Sequence, residues 1–240
     1  MNKYEILKNM IDHSRKVVFF TGAGISVPSG IPDFRSEKGI YNGEKVKGYS
    51  PEQIISHSFY ESHKDDFYDF YKKKMMYLSA KPNLAHYYIA QLQNDKDVTV
   101  ITQNIDGLHQ EAGSNFVLEL HGSIHRNYCE KCGEFYDGKF VHDSKGVPHC
   151  EKCGGDIKPD VVLYEEPLNE EVINDAIREI MTCDTLIIVG TSLTVYPAAG
   201  FIRYFKGNAL IVINKDETSL DNMCDLVIND DCVNVFEHLI

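Results

Sequence analysis

Short apolar runs rich in β-branched and aromatic residues recur along the chain, at 17–20, 98–101, 117–120, 161–164, 186–189, 209–213 and 226–228. Runs of this length, apolar at successive rather than alternate positions, predict strands buried on both faces. Helical periodicity lies between several of them: Leu84, Tyr87, Tyr88 and Leu92 mark one apolar face, and Val172, Ile173, Ala176, Ile177 and Ile180 another. Alternating strand and helix predicts the α/β class, a parallel sheet with helices on both faces. Two segments break the alternation. Residues 36–82 place Phe67, Phe70, Tyr71 and Met75 at helical spacing in a background of Tyr, Lys, Asp and Ser, and 128–156 is punctuated by Gly and Cys with little periodicity. Read as insertions, they leave a discontinuous sheet domain of 1–35, 83–123 and 157–240, with 36–82 (helical) and 124–156 forming a smaller second domain.

The residues that follow the strands are polar. They are Thr21-Gly22-Ala23-Gly24, Thr102-Gln103-Asn104-Ile105-Asp106, His121-Gly122-Ser123, Gly190-Thr191-Ser192 and Asn214-Lys215-Asp216. In an open parallel sheet the carboxyl ends share one edge and ligands bind in the crevice beyond it, so these segments are expected to converge on one site. A glycine turn after a strand lets backbone amides approach a phosphate, although such turns also occur for purely structural reasons. The full dinucleotide fingerprint wants a third glycine where Val27 stands, and Pro28 and Pro32 forbid an uninterrupted helix there. The continuation to Asp33, Phe34 and Arg35 suits a mobile cover over a charged, planar ligand. His121 at a strand end is a usable base near neutrality. Alone it reads as a hydrogen-bonded core residue; Asn104 and Asp106 on a neighbouring strand end favour the functional reading.

Composition narrows the partners. With 24 basic and 36 acidic residues the net charge is −12, which argues against direct nucleic-acid binding and against adhesion to anionic membranes. The N-terminal residues mix charge with apolar positions at helical spacing, unlike a secretion signal, and no apolar run approaches a membrane span. Seven cysteines, an odd number in a chain of 240 residues, fit the reducing cytoplasm. Four of them form Cys129-x-x-Cys132 and Cys150-x-x-Cys153, two knuckles that complete a tetrahedral zinc shell. Four protein ligands leave no open position, so this zinc is structural rather than catalytic. His142 and His149 are alternative ligands, but four thiols already suffice. Cys183, Cys224 and Cys232 read as small apolar residues.

Together these strings resemble the sirtuins, and most of all the short bacterial members that are little more than a catalytic core. The likeness rests on Gly22-Ala23-Gly24-Ile25-Ser26, Ser29-Gly30-Ile31-Pro32-Asp33-Phe34-Arg35, Thr102-Gln103-Asn104-Ile105-Asp106-Gly107-Leu108-His109, Leu120-His121-Gly122, the paired cysteines and Gly190-Thr191-Ser192-Leu193, and it spans 17–232 in order. The resemblance implies a Rossmann-like NAD-binding domain, a small zinc-binding domain and an NAD-dependent protein lysine deacetylase acting on an acyl-lysine protein or peptide. NAD would be consumed: nicotinamide leaves, and the acetyl group ends on ADP-ribose. By the family's pattern Gly22, Ala23, Gly24, Thr191 and Ser192, with Val27 and Gly190 alongside, would hold the pyrophosphate, and Asn214, Lys215, Asp231 and Cys232 would border the adenosine. Asp33, Phe34 and Arg35 would belong to the cofactor loop. Gln103, Ile105 and Asp106 would hold ribose and nicotinamide, Asn104 would act on the ribose and its water, and His121 would accept a ribose hydroxyl proton.

Val162, Leu163, Tyr164 and Glu165 correspond to the segment that pairs with the substrate backbone, and Glu165 stands where the family usually has glycine. Glu165 and Glu166 would add local acidity favouring lysine-rich peptides, or are simply solvated. The family's Tyr-x-x-Arg pair for acidic acyl groups has Tyr71-Lys72-Lys73-Lys74 as its nearest equivalent, and no arginine occurs between Arg35 and Arg126. Acetyl is therefore expected over succinyl. Competing readings are a nicotinamide-dependent dehydrogenase, a nucleic-acid-binding zinc ribbon and, nearest in chemistry, an NAD-dependent protein ADP-ribosyltransferase. The oligomeric state is open in the sequence, with a monomer the expectation.

Overall fold

The computed structural model describes residues 2–34, 39–40 and 47–240. In chain order the strands are β1 (Lys16–Thr21), β2 (Asp97–Thr102), β3 (Val117–Glu119), β4 (Gly122–Cys129), β5 (Phe135–Asp137), β6 (Ile157–Val161), β7 (Thr185–Val189), β8 (Ala209–Ile213) and β9 (Leu226–Ile228). Six of them form one sheet in the order β3-β2-β1-β7-β8-β9, every pair parallel. The chain steps outward from β1 to β3 and then returns to lay β7 on the other side of β1. This reversal opens a crevice above the carboxyl ends of β1 and β7.

Successive residues of the central strands supply two cores. Val17 and Phe19 of β1 pack with Leu7, Ile11, Ile89 and Phe236 on one face, and Val18 and Phe20 pack with Ala176, Ile180, Phe201 and Ile202 on the other. The four β1 side chains are fully buried, and burial of apolar side chains of this size stabilises by about 1.5–3 kcal/mol each. The expected helices begin where capping side chains stand: Asn83 accepts from Ala85 N ahead of Leu84–Leu92, and Asn169 accepts from Glu171 N and Val172 N ahead of Glu170–Thr182.

A third core is built from both irregular segments. Helices Pro51–Ile54, His57–Ser62 and Lys64–Lys74 contribute Ile54, Phe59, Tyr60 and Phe67, which pack with Ile124, Val141, Ile157 and Val161 around the antiparallel sheet β5-β4-β6. One expectation is corrected here. The strand anticipated at 161–164 lies at Ile157–Val161, and it pairs with β4 of the small sheet, although the sequence reading assigned 157 onward to the large one. Its burial alternates, with Ile157, Pro159 and Val161 inward and Lys158 and Asp160 outward. That period-two pattern belongs to a half-buried antiparallel strand, and the edge position tolerates Pro159.

Candidate active site at the sheet edge

β1 runs into a 3-10 turn, Ala23–Ser29, whose Pro28 bars a regular helix, as expected. This turn interlocks with the one after β7. Gly24 N donates to Gly190 O at 2.8 Å, a Cβ on Gly24 would stand 2.7 Å from Gly190 Cα, and Gly190 itself holds φ +61°. No side chain fits between the two turns, so the peptide groups of both strand ends are brought together at the switch point. Gly22 N is committed to Val189 O at 3.1 Å, and Gln103 Nε2 donates to Thr191 Oγ1 at 3.1 Å, joining the β2 end to the same place.

The polar side chains of the β2 end are bound to the glycine turn through Ser26. Its hydroxyl donates to Asp106 Oδ2 at 2.7 Å and accepts from Asn104 Nδ2 at 3.1 Å. Asp106 Oδ1 accepts from Leu108 N at 2.9 Å, and His125 Nε2 donates to the Asp106 carbonyl at 2.9 Å. Burial raises the Asp106 carboxyl above the ordinary range, against the opposing hydrogen bond from Ser26. His121 Nδ1 lies 2.8 Å from Gln103 O. A carbonyl only accepts, so Nδ1 carries the proton and the neutral ring keeps Nε2 as its acceptor. Burial lowers the His121 pKa, with the Gln103 hydrogen bond acting in the opposite sense, so at neutral pH the ring is an uncharged base.

His121 lines a cavity of about 220 Å³ shared with Ala23, Phe34, Gln103, Asn104, Ile105, Asp106, Val162, Leu163, Tyr164 and Glu165. Eleven of the residues expected at the site therefore meet in one place. The others lie elsewhere. Lys215 and Asp231, paired at 2.9 Å, line an open groove with Pro28 of the same turn. Asn214 borders it in sequence, with Nδ2 turned to Asp216 O at 2.8 Å. Cys232 is buried beneath, its thiol pushed up to about 12 by burial. The expected single site is thus two recesses flanking one turn, a division that fits a ligand with a nucleotide at each end. Val27 is exposed on the turn, Asp33 O accepts from Ile40 N at 2.8 Å, and Ser192 Oγ meets Thr194 Oγ1 at 2.9 Å. Arg35 lies outside the described residues.

The segment after β6 forms the opposite wall. Val162 N donates to His121 O at 3.0 Å, Tyr164 N to Ile55 O at 3.1 Å, and His57 N to Tyr164 O at 2.9 Å. Glu165 holds φ +75°, a conformation that favours glycine. Its carboxylate accepts from Ser58 N at 2.8 Å and Ser58 Oγ at 2.5 Å. Glu166 accepts from His57 Nδ1 at 2.9 Å, from Leu163 N at 2.9 Å and from Lys158 Nζ at 3.1 Å. Both acids are therefore hydrogen-bonded to the protein rather than simply solvated, Glu166 to two basic side chains and Glu165 to neutral Ser58 alone. Tyr71 is buried, Lys72 donates to the Ser144 and Gly146 carbonyls at 2.8 and 2.7 Å, and Lys74 stands at the cavity rim. Ser26, His125 and Tyr196, which also lines the cavity, were not expected at the site. Only Ser26 carried a signal, its place in the glycine turn.

Away from the cavity, the Sγ atoms of Cys129, Cys132, Cys150 and Cys153 lie within 4.8 Å of one another, with Cys129–Cys153 at 3.4 Å and Cys132–Cys150 at 3.6 Å. Zn–S bonds of about 2.3 Å give a tetrahedron edge of roughly 3.8 Å, so the donor set fits zinc. His142 and His149 pair with Asp143 and Asp156 instead.

A sequence profile of the Sir2 family matches residues 22–197, from the first glycine of the turn to Pro197. The chain belongs to the Sir2 family. It is similar to an NAD-dependent protein deacetylase of Clostridium acetobutylicum, 52% identical over 242 aligned residues that cover 100% of this chain and 99% of that one. A solved Sir2 structure with a p53 peptide and NAD+ matches with TM-score 0.87 at 38% identity, covering 100% of this chain and 97% of the other. A Sir2 variant with deacetylated p53 peptide and 3'-O-acetyl ADP ribose matches with TM-score 0.89 at 37% identity, covering 99% and 97%. The sirtuin resemblance read from the motifs is thereby established for the chain as a whole.

Proposed function

We propose that this Sir2 protein is an NAD-dependent protein lysine deacetylase that transfers the acetyl group to ADP-ribose and releases nicotinamide. The observation that carries the reading is the neutral His121 ring, with its proton fixed on Nδ1, in one cavity with Asn104, Asp106 and the 162–165 segment. Bound NAD supplies an electrophilic ribose carbon and, afterwards, the hydroxyl that receives the acetyl group.

The chain's own residues do the rest. His121 accepts a ribose hydroxyl proton at Nε2, which makes that oxygen nucleophilic. Asn104, oriented by Ser26, acts on the ribose and its water, while Gln103, Ile105 and Asp106 hold ribose and nicotinamide in a water-poor recess that delays hydrolysis. Gly22, Ala23, Gly24, Thr191 and Ser192 take the pyrophosphate, with Val27 and Gly190 alongside; Asn214, Lys215, Asp231 and Cys232 border the adenosine, and Asp33, Phe34 and Arg35 close over the cofactor. Val162, Leu163, Tyr164 and Glu165 guide the acyl-lysine segment, and Cys129, Cys132, Cys150 and Cys153 hold a structural zinc. The division of labour follows two domains, a NAD-binding one of 1–35, 83–123 and 157–240 and a smaller one of 36–82 and 124–156, with β6 pairing into the sheet of the smaller one. The setting is the reducing cytoplasm, and the working unit a monomer without nucleic acid.

The deciding experiment measures nicotinamide release from NAD with and without an acetyl-lysine peptide. Release that requires the peptide and yields O-acetyl-ADP-ribose supports the reading. Peptide-independent release with label transferred from NAD to protein overturns it in favour of ADP-ribosyl transfer. A succinyl-lysine peptide should react more slowly than its acetyl counterpart, since the segment facing the cavity offers Lys74 and no arginine fork.

A further inference from the structure

The guanidinium of Arg126, in β4, joins two strands that approach the cavity from different sheets. Nη1 donates to Glu119 Oε2 at 2.6 Å and Nε to Asp160 Oδ2 at 2.8 Å. Glu119 ends β3, two residues before His121; Asp160 lies in β6, two residues before Val162. Arg126 itself does not line the cavity. The Glu119 side chain is only 11% exposed, and its other oxygen accepts from Gln110 Nε2 at 2.8 Å, so this carboxylate is held in place from both sides. The two segments run close together here. Gly122, at φ +75°, passes so close to β6 that a Cβ there would stand 1.9 Å from Asp160 O, and Val162 N reaches back to His121 O at 3.0 Å.

We propose that Arg126 is a positioning residue for deacylation, fixing the separation between the His121 turn and the segment that receives the acyl-lysine. The inference rests on the deacetylase reading. Without the guanidinium, two carboxylates would share one gap with no cation between them, and one of them would be nearly buried and unpaired. Repulsion would then drive the end of β3 away from β6, and these are the two places whose spacing sets the approach of base to substrate. The planar fork serves two acceptors in fixed directions, which an ammonium does not reproduce.

The test compares wild type with Arg126→Gln, Arg126→Lys and Asp160→Asn, using an acetyl-lysine peptide and NAD. Arg126→Gln should lower kcat/KM for the peptide on the order of 10- to 100-fold, as expected for a small misplacement of reacting groups. The loss should fall on peptide KM and kcat, with ADP-ribose affinity near wild type and a melting temperature lowered but still marking one cooperative transition. Arg126→Lys should recover part of the loss, and Asp160→Asn, which removes one arm only, should show a smaller loss in the same parameters. Wild-type kinetics in Arg126→Gln and Asp160→Asn would overturn the proposal. So would a parallel collapse of ADP-ribose binding and stability in both, which would mark a merely structural role. An inactive wild type would sink the deacetylase reading and this role with it, whereas an active wild type alongside an equally active Arg126→Gln sinks this role alone.

Discussion

The two walls of the cleft are held together by different means. The sheet-edge wall is a backbone construction: interlocked glycine turns, a parallel sheet apolar on both faces, and side chains such as Ser26, Asn104 and Asp106 that brace one another. The opposite wall is built from the two insertions and the segment after β6 and held by side chains: four cysteines, a tyrosine-rich cluster and the carboxylates of Glu165 and Glu166. The first wall is rigid because its peptide groups have nowhere else to go. The second is a set of separable ties, each of which can be cut without touching the chemistry.

Zinc removal is the sharpest way to separate them. Stripping the metal, or Cys150→Ser, should melt the small sheet and abolish deacetylation, since structural zinc contributes about 10–16 kcal/mol in zinc-finger peptides. The six-stranded sheet should persist, read as retained ADP-ribose binding and far-ultraviolet dichroism. Loss of both together would show that the walls are one cooperative unit. On the other wall, His121→Ala should cost about 10²- to 10⁴-fold in acetyl transfer, the usual range for a general base, with an unchanged melting temperature.

Acid should act on the sheet-edge wall before it acts on the ties. His86 is fully buried and burial pushes it down to about 4, and burial also holds His109 beside it well below its ordinary value. Their ordinary value is 6.5. Above that pH both folded and unfolded chains carry neutral rings and stability is unaffected. As pH falls from 6.5 toward 4 the unfolded chain takes up protons that the fold refuses, so stability falls by roughly 1.4 kcal/mol per pH unit for each ring. Denaturant midpoints at several pH values check this, and a flat profile over that window contradicts it. The smallest effect belongs to Ser58→Ala, which removes one exposed hydrogen bond to Glu165 and should modestly raise peptide KM with a melting temperature near wild type.

The same contrast explains what was legible in the sequence. Short apolar runs announced all six strands of the large sheet, because burial on both faces of its central strands leaves little room for polar residues. Lys158 and Asp160 interrupted β6, so its half-buried pattern was masked and its membership misplaced. The strand-end rule and the sirtuin motifs singled out His121, Asn104 and Asp106, which line one cavity. They did not reveal that Lys215 and Asp231 occupy a separate groove, because β8 lies one strand beyond the switch point. Ser26 bonding to Asp106, or Glu165 to Ser58, joins residues 80 and 107 positions apart, and no local periodicity encodes such pairs.

β3 ends at Glu119 and β4 begins at Gly122, leaving Leu120 and His121 as the whole connection between the large sheet and the small one at this crossing. His121 therefore sits within the short link between the two sheets. Were the smaller lobe to swing open for a peptide and shut again, its outer rim would sweep a wide arc while the imidazole, placed in that link, would travel least.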